Sequence, residues 1–448
     1  MRRWALLLAA AVPAIVGAQG FGVYEHGTCT MARAGTAAAS PCPDGSAIFF
    51  NPAGLAGLSG TRGSAGATFI KAQGGFTDDR FARQTDIDNP IIPVPSGYVT
   101  HAINTTVTVG VGFFAPYGLQ TRWPTEGFDG RFLAYDSKLR SVYIQPTVGY
   151  QLKQWLKIGV GVAFIHSTLE LNQRVDLASQ VVAPGITFES LGFLRGTDFA
   201  DANLSASGTG FAVHVGGIIK VNDRLSIGGR WLTRKSITYD GTAAFTQILT
   251  GLTLPPDNPL ALPGGTPVDA ILTPQFGTGG TLADGVATTK ITLPPQGSLG
   301  IAYKLRDNWT LLADYQYVVW GWLASVVVDF ANSATPNLVL TPDGSDTHGI
   351  RIGTEYVSSD KLTLRGGYLY HTAALPDNFV TPLLPEAPRN EFTVGVGYQL
   401  TSQLRTNLAY QYILQQDRRG RVFEASIGNT GLYTFSAQLF GVGLAYTF

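Results

Sequence analysis

The chain has 448 residues, 31 basic against 31 acidic side chains, and therefore no net charge. Charged residues make up 14% of it, against about 25% in a soluble domain, while mean hydropathy is +0.12 and aromatics reach 11%. The balance of charge gives no pointer to nucleic acid or to an acidic partner, and the scarcity of charge argues against an ordinary soluble protein.

In chain order, residues 1–18 come first. Arg2 and Arg3 precede a short apolar run from Trp4 to Val16, and Val16-Gly17-Ala18 forms a small-residue cleavage site. The run is too short for a spanning helix, so 1–18 is expected to be an export signal removed from the mature chain. Residues 19–61 do not alternate. They are rich in Ala and Gly, hold Cys29 and Cys42, and carry Phe49-Phe50-Asn51-Pro52-Ala53-Gly54-Leu55. In an oxidising exported compartment the cysteine pair favours a disulfide over two free thiols; closing a loop of ~15 residues adds about 3 kcal/mol. Only His26 lies near, so a metal site is not expected.

From residue 62 onward period-two alternation dominates. In 440–448, Phe440, Val442, Leu444, Tyr446 and Phe448 share one face, with Gly441, Gly443, Ala445 and Thr447 on the other. Phe392 to Leu400 and Leu404 to Leu414 behave alike. Successive strand side chains point to opposite faces. One face here is apolar and aromatic, the other Gly, Thr and Gln, which suits a lipid-facing band around a polar lumen. We place fourteen strands near 63–76, 94–103, 105–115, 136–152, 155–175, 203–221, 224–247, 284–305, 308–330, 345–357, 360–371, 389–400, 403–419 and 432–448. Short turns such as Val221-Asn222-Asp223-Arg224 alternate with long Pro- and Gly-rich links at 176–202, 248–283, 331–344 and 372–388. The expected fold is all-β: a transmembrane antiparallel β-barrel (62–448) of about 14 strands in the bacterial outer membrane. Residues 19–61 are expected to enter the lumen as a hatch, because a barrel this wide is not filled by its own wall.

These pieces resemble the long-chain fatty acid outer-membrane transporter family (FadL/TodX, OMPP1 type) across essentially the whole mature chain. The likeness rests on Asn51-Pro52-Ala53, on Phe114-Ala115-Pro116-Tyr117-Gly118-Leu119-Gln120-Thr121, on Ile291-Thr292-Leu293-Pro294-Pro295 with Gly300-Ile301-Ala302-Tyr303 and Trp309 to Trp320, and on Leu375-Pro376-Asp377 with Pro385, Arg389 and Gly395–Tyr398. It implies uptake of hydrophobic compounds, long-chain fatty acids or else aromatic hydrocarbons, with hatch movement and lateral exit at a kinked third strand. Pro116 and Gly118, which also read as the end of strand three, mark that kink; Phe50, Asn51 and Pro52 are the expected hatch contact. Tyr446 and Phe448 match the terminal signal read by the barrel assembly machinery. The family's fatty acid carriers place an arginine near the outer end of strand five, where Arg174 stands, and a lysine before strand ten, where 331–350 holds no Lys or Arg.

For substrate contact we single out Phe113, Phe114 and Arg174, with Phe188, Phe193, Leu252 and Leu254 in two unusually apolar loops. Such loops either form a landing surface or pack on each other. Outer-membrane lipid and lipopolysaccharide are the expected surroundings of a monomer; no cofactor or nucleic acid is implied. A general diffusion porin would leave the lumen open. A hydrolase would need a nucleophile beside a base, yet His26, His101, His166, His214, His348 and His371 are scattered.

Overall fold

In a computed structural model, residues 20–79, 81–323, 325–420 and 430–448 are described. The export signal expected at 1–18 lies outside them. No helix among the described residues is long and apolar enough to cross a membrane.

The alternating segments close into one antiparallel barrel of fourteen staves. These are β1 (Thr61–Asp78), β2 (Ile92–Ala102), β3 (Val107–Arg122), β4 (Asp136–Lys153), β5 (Leu156–Asp176), β6 (Asp198–Lys220), β7 (Leu225–Leu232 and Lys235–Gln247), β8 (Gly285–Leu293 and Gln296–Arg306), β9 (Trp309–Val318 and Val326–Phe330), β10 (Thr347–Val357), β11 (Leu362–His371), β12 (Arg389–Gln399), β13 (Leu404–Gln415) and β14 (Gly431–Thr447). Closure comes from β1, which pairs with β2 on one side and with β14 from Arg62↔Thr447 to Asp78↔Gly431 on the other. Closing the sheet leaves no unpaired edge in lipid.

The two faces divide as their side chains dictate. Ile158, Val160 and Val162 of β5 are exposed outward, whereas Gly159 and Gly161 face in. Tyr150, Trp155, Tyr303, Tyr356, Tyr398, Tyr446 and Phe448 are all exposed near the short-turn end, an aromatic girdle at one membrane interface.

Three staves differ from the continuous strands read from the sequence. β7, β8 and β9 each break at one level, as the pairs Leu232↔Gln296 and Gln296↔Val318 show. Pro294 and Pro295 cause the break in β8, since neither can donate to the ladder. Strand three is also corrected: β3 does not end at Pro116 or Gly118 but runs on to Arg122, with a register shift between Phe114 and Tyr117.

Residues 20–60 lie inside the barrel. They form two single-turn helices, α1 (Thr28–Met31) and α2 (Ala47–Phe50), followed by a 3-10 turn at Pro52–Leu55. Too short to be stable alone, these turns exist because the wall buries them: Ala34, Ala47, Ile48, Phe49 and Leu55 are wholly inaccessible. Cys29 and Cys42 are disulfide-bonded within this segment.

Candidate transport pathway: cavity, hatch and kinked strand

The wall makes room for the hatch with glycine. A Cβ on Gly159 would meet the Pro52 carbonyl carbon at 2.2 Å, and one on Gly216 would meet Asn51 Oδ1 at 2.0 Å. Asn51, fully buried, donates to Ala38 O at 2.5 Å and to Gly217 O of β6 at 3.1 Å, and accepts from the Ala53 N–H at 3.1 Å. It therefore joins two parts of the hatch to the barrel. Of the residues expected to form this contact, Asn51 and Pro52 meet the wall, whereas Phe50 packs edge-on against Phe49 within the hatch.

Polar lumen residues hold the other sides. Asp314 of β9 accepts from the N–H groups of Ala37 and Ala38 at 2.8 and 2.9 Å. Thr393 of β12 accepts from the Ala34 N–H at 3.0 Å, and Gln145 of β4 donates to Ile48 O at 2.9 Å. Each bond satisfies a backbone group that a helix-poor plug would otherwise bury unpaired.

Phe114 turns inward at the shift in β3 and is fully buried beside Phe49, Tyr98 and Tyr143. Its neighbour Phe113 departs from expectation. It shares the outer face with Val111 and is 39% exposed, because one residue along a strand reverses the face. Beyond Phe113, β3 leaves β2, and the two pair only over Gly97–Ala102 against Thr108–Phe113. The freed groups of β3 take up the hatch instead: the Val23 N–H donates to Pro116 O and the Gly118 N–H to Phe21 O, both at 2.9 Å. Tyr117 reaches across the lumen, its hydroxyl donating to Pro294 O at 2.6 Å. Wall pairing between β2 and β3 thus stops at Phe113, and residues 21–23 lie along the unpaired stretch of β3.

Above Phe21 lies a cavity of about 640 Å³. Its lining includes Leu119, Leu139, Leu169, Leu171, Leu204, Ile291 and Leu323 of the barrel, and Leu340, Leu375, Phe379 and Leu384 from the loops after β9 and β11. Among the described residues no charged one lines it. Its floor is tied down by Glu386, whose carboxylate accepts from the N–H groups of Leu375 (2.6 Å), Ala374 and Gly20 (both 3.2 Å), with Arg418 at 3.5 Å. Burial pushes the Glu386 carboxyl up, against the pull of these donors. Nothing in the sequence marked Glu386.

The remaining expected substrate residues do not join this cavity. Arg174 sits opposite Asp201 in a register that turns Leu171 and Leu204 inward and Arg174 outward. There its guanidinium is 3.9 Å from both Asp198 and Asp201 and lies over the Tyr135 ring. Phe188 and Leu254 are buried in a separate core of the two long loops, with Phe193 and Leu252 packed against it. These four side chains pack on one another, while Val181, Leu194 and Leu249 of the same loops stay exposed. Sequence reasoning missed the cavity leucines of β4 and β5 because they read as ordinary strand positions.

A family model described as "Outer membrane protein transport protein (OMPP1/FadL/TodX)" matches residues 9–448. The chain belongs to this family. The 47 kDa outer membrane protein of Pasteurella multocida is 23% identical over 99% of this chain and 98% of its own length. The long-chain fatty acid transport protein of Escherichia coli O6:H1 is 20% identical over 96% and 94%. Among solved structures, a Pseudomonas aeruginosa FadL homologue covers 96% of this chain and 100% of itself at TM-score 0.82 and 19% identity. The toluene transporter TodX of Pseudomonas putida covers 95% and 99% at TM-score 0.70 and 18% identity. Like its relatives, this FadL/TodX-family member is an outer-membrane transport protein and not an enzyme.

Proposed function

We propose that this transporter takes up long-chain fatty acids and comparable hydrophobic compounds by holding them in the apolar cavity above Phe21. The observation that carries this is the cavity itself: about 640 Å³, with no charged side chain among the described residues that line it, and with Phe21 of the hatch below. Its volume falls within the ~300–1,000 Å³ usual for sites that enclose a small organic ligand. Cargo reaches it from the outer loops. Displacement of residues 20–23 then uncovers the unpaired stretch of β3 beside β2, and cargo leaves sideways into the bilayer near Pro116 and Gly118. A ligand drives such a shift only through its preference for the displaced hatch. Asn51 and Pro52 limit how far the hatch moves. Tyr446 and Phe448, exposed at the end of β14, serve recognition by the barrel assembly machinery.

A second reading has its own support. With no basic residue among the described residues of the cavity lining and Arg174 turned outward among carboxylates, a neutral aromatic hydrocarbon fits the cavity alone without leaving a charge unpaired. Mass spectrometry of small molecules co-purifying with the protein separates the two: fatty acids support the first reading and aromatic compounds the second. A barrel that carries neither and binds neither would overturn both.

A further inference from the structure

Beneath the cavity floor, two guanidiniums are buried without a counter-ion. Arg230 of β7 is 7% exposed and Arg351 of β10 is 4% exposed. Among the described residues no carboxylate oxygen lies within ion-pair distance of either. Arg230 donates to Gln296 Oε1 at 2.9 Å and lies 4.8 Å from the centre of the Phe49 ring. Arg351 donates to Gln316, approaches His371 Nε2 at 3.2 Å, and lies 4.7 Å from the centre of the Tyr24 ring. Arg230 Nη1, Arg351 Nε and the Tyr24 hydroxyl have no hydrogen-bond partner.

The nearby carboxylates form ion pairs with neither arginine. Asp314 accepts the hatch N–H groups of Ala37 and Ala38 on Oδ2, and its buried Oδ1 has no hydrogen-bond partner. Glu391 pairs with Arg389, and Glu25 accepts from the Tyr24 N–H and from Gln411. Aromatic faces offset part of the cost of burying a cation, but not that of an unpaired N–H.

We propose that Arg230 and Arg351 form a carboxylate-binding station that Tyr24 covers while the hatch is closed, and that an anionic head group occupies it once the 21–24 segment moves. The contacts connect the station to the cavity. Phe21 lines the cavity and packs against Tyr117 at 6.2 Å. The Tyr117 hydroxyl accepts from Gln296 Nε2 at 2.9 Å, and Gln296 in turn accepts from Arg230. Three residues after Phe21, Tyr24 shields Arg351. A planar carboxylate suits two guanidiniums better than a monatomic anion does, since each offers a fork of N–H donors. The station is reached only from the displaced hatch, so occupancy by the head group favours that state and couples cargo charge to opening.

This inference rests on the cargo reading above, and one experiment tells their failures apart. Binding of laurate and of methyl laurate to the full-length protein in a non-ionic detergent is measured calorimetrically at pH 8. The acid is expected to bind about 10- to 100-fold more tightly than the ester, as a hydrogen-bonded charge would give. In Arg230→Gln/Arg351→Gln that ratio collapses toward one. Tyr24→Ala, which uncovers Arg351 without touching either arginine, raises the ratio and tests the idea should the double variant not assemble. Equal binding of acid and ester by the unaltered protein would overturn the station alone, as would a ratio unmoved by the substitutions. Failure to bind either compound would overturn the cargo reading and the station with it.

Discussion

Above Phe21 the lumen is walled by leucine and valine from barrel and loops, and they surround a cavity of about 640 Å³. Below Phe21 it is lined by Gln145, Asp314, Thr393 and the buried arginines, and it is filled by the hatch. The difference follows from what each region must hold. Hydrophobic cargo needs a surface without hydrogen-bonding demands. A plug of short turns buries dozens of backbone groups and needs a wall that satisfies them. Polar contacts also confine the hatch to one register while leaving it separable, because each net bond contributes only about 0.5–1.5 kcal/mol.

Substitutions that exchange the character of the two regions should have the largest effect. Leu204→Glu puts an unpaired carboxylate into the cavity, which costs several kcal/mol and should lower hydrocarbon binding on the order of a hundredfold in a direct binding assay. Asn203→Glu, one residue away and opposite Asn172 on the outer side of the wall, should leave binding within about twofold. Replacing Cys29 and Cys42 with serine should remove about 3 kcal/mol of hatch order and speed protease cleavage within residues 20–60, with the barrel intact. Asn51→Ala should act in the same assay with a loss of about 1–3 kcal/mol, through the donors and acceptors it leaves unpaired.

The smallest expected effect is in the outer loops. Partial burial raises the Asp269 carboxyl, but the N–H groups of Thr250 and Gly251 and the Thr250 hydroxyl outweigh it and hold it below the usual carboxylate range. A depressed carboxyl stabilises above its unfolded pKa of about 3.9 and loses that contribution as pH falls below it. Amide protection at Thr250 and Gly251, corrected for intrinsic exchange, should therefore decline only under acid.

How much of this was legible in sequence depends on the kind of information each feature carries. Stave count, loop placement, closure and the hatch are properties of periodicity and composition, and all can be read along a chain. The cysteine pair is also local. Faces are more fragile. Phe113 and Phe114 differ by one residue and stand on opposite sides of the wall, and the same parity turns Arg174 away from Leu171. Relations across the barrel were out of reach: Arg230 and Arg351 each sit in an unremarkable alternating strand, and only closure brings Arg351 to Tyr24 and Arg230 to Phe49. Glu386 gives no signal at all until Gly20 folds back to it over 366 positions.

The claim beneath all of this is that residues 20–60 occupy the bore. Single-channel recording on the full-length protein in a planar bilayer tests it most directly. Almost no steady ionic current is expected, and a large ohmic conductance once residues 20–56 are deleted. A steady porin-sized current through the intact protein would contradict it.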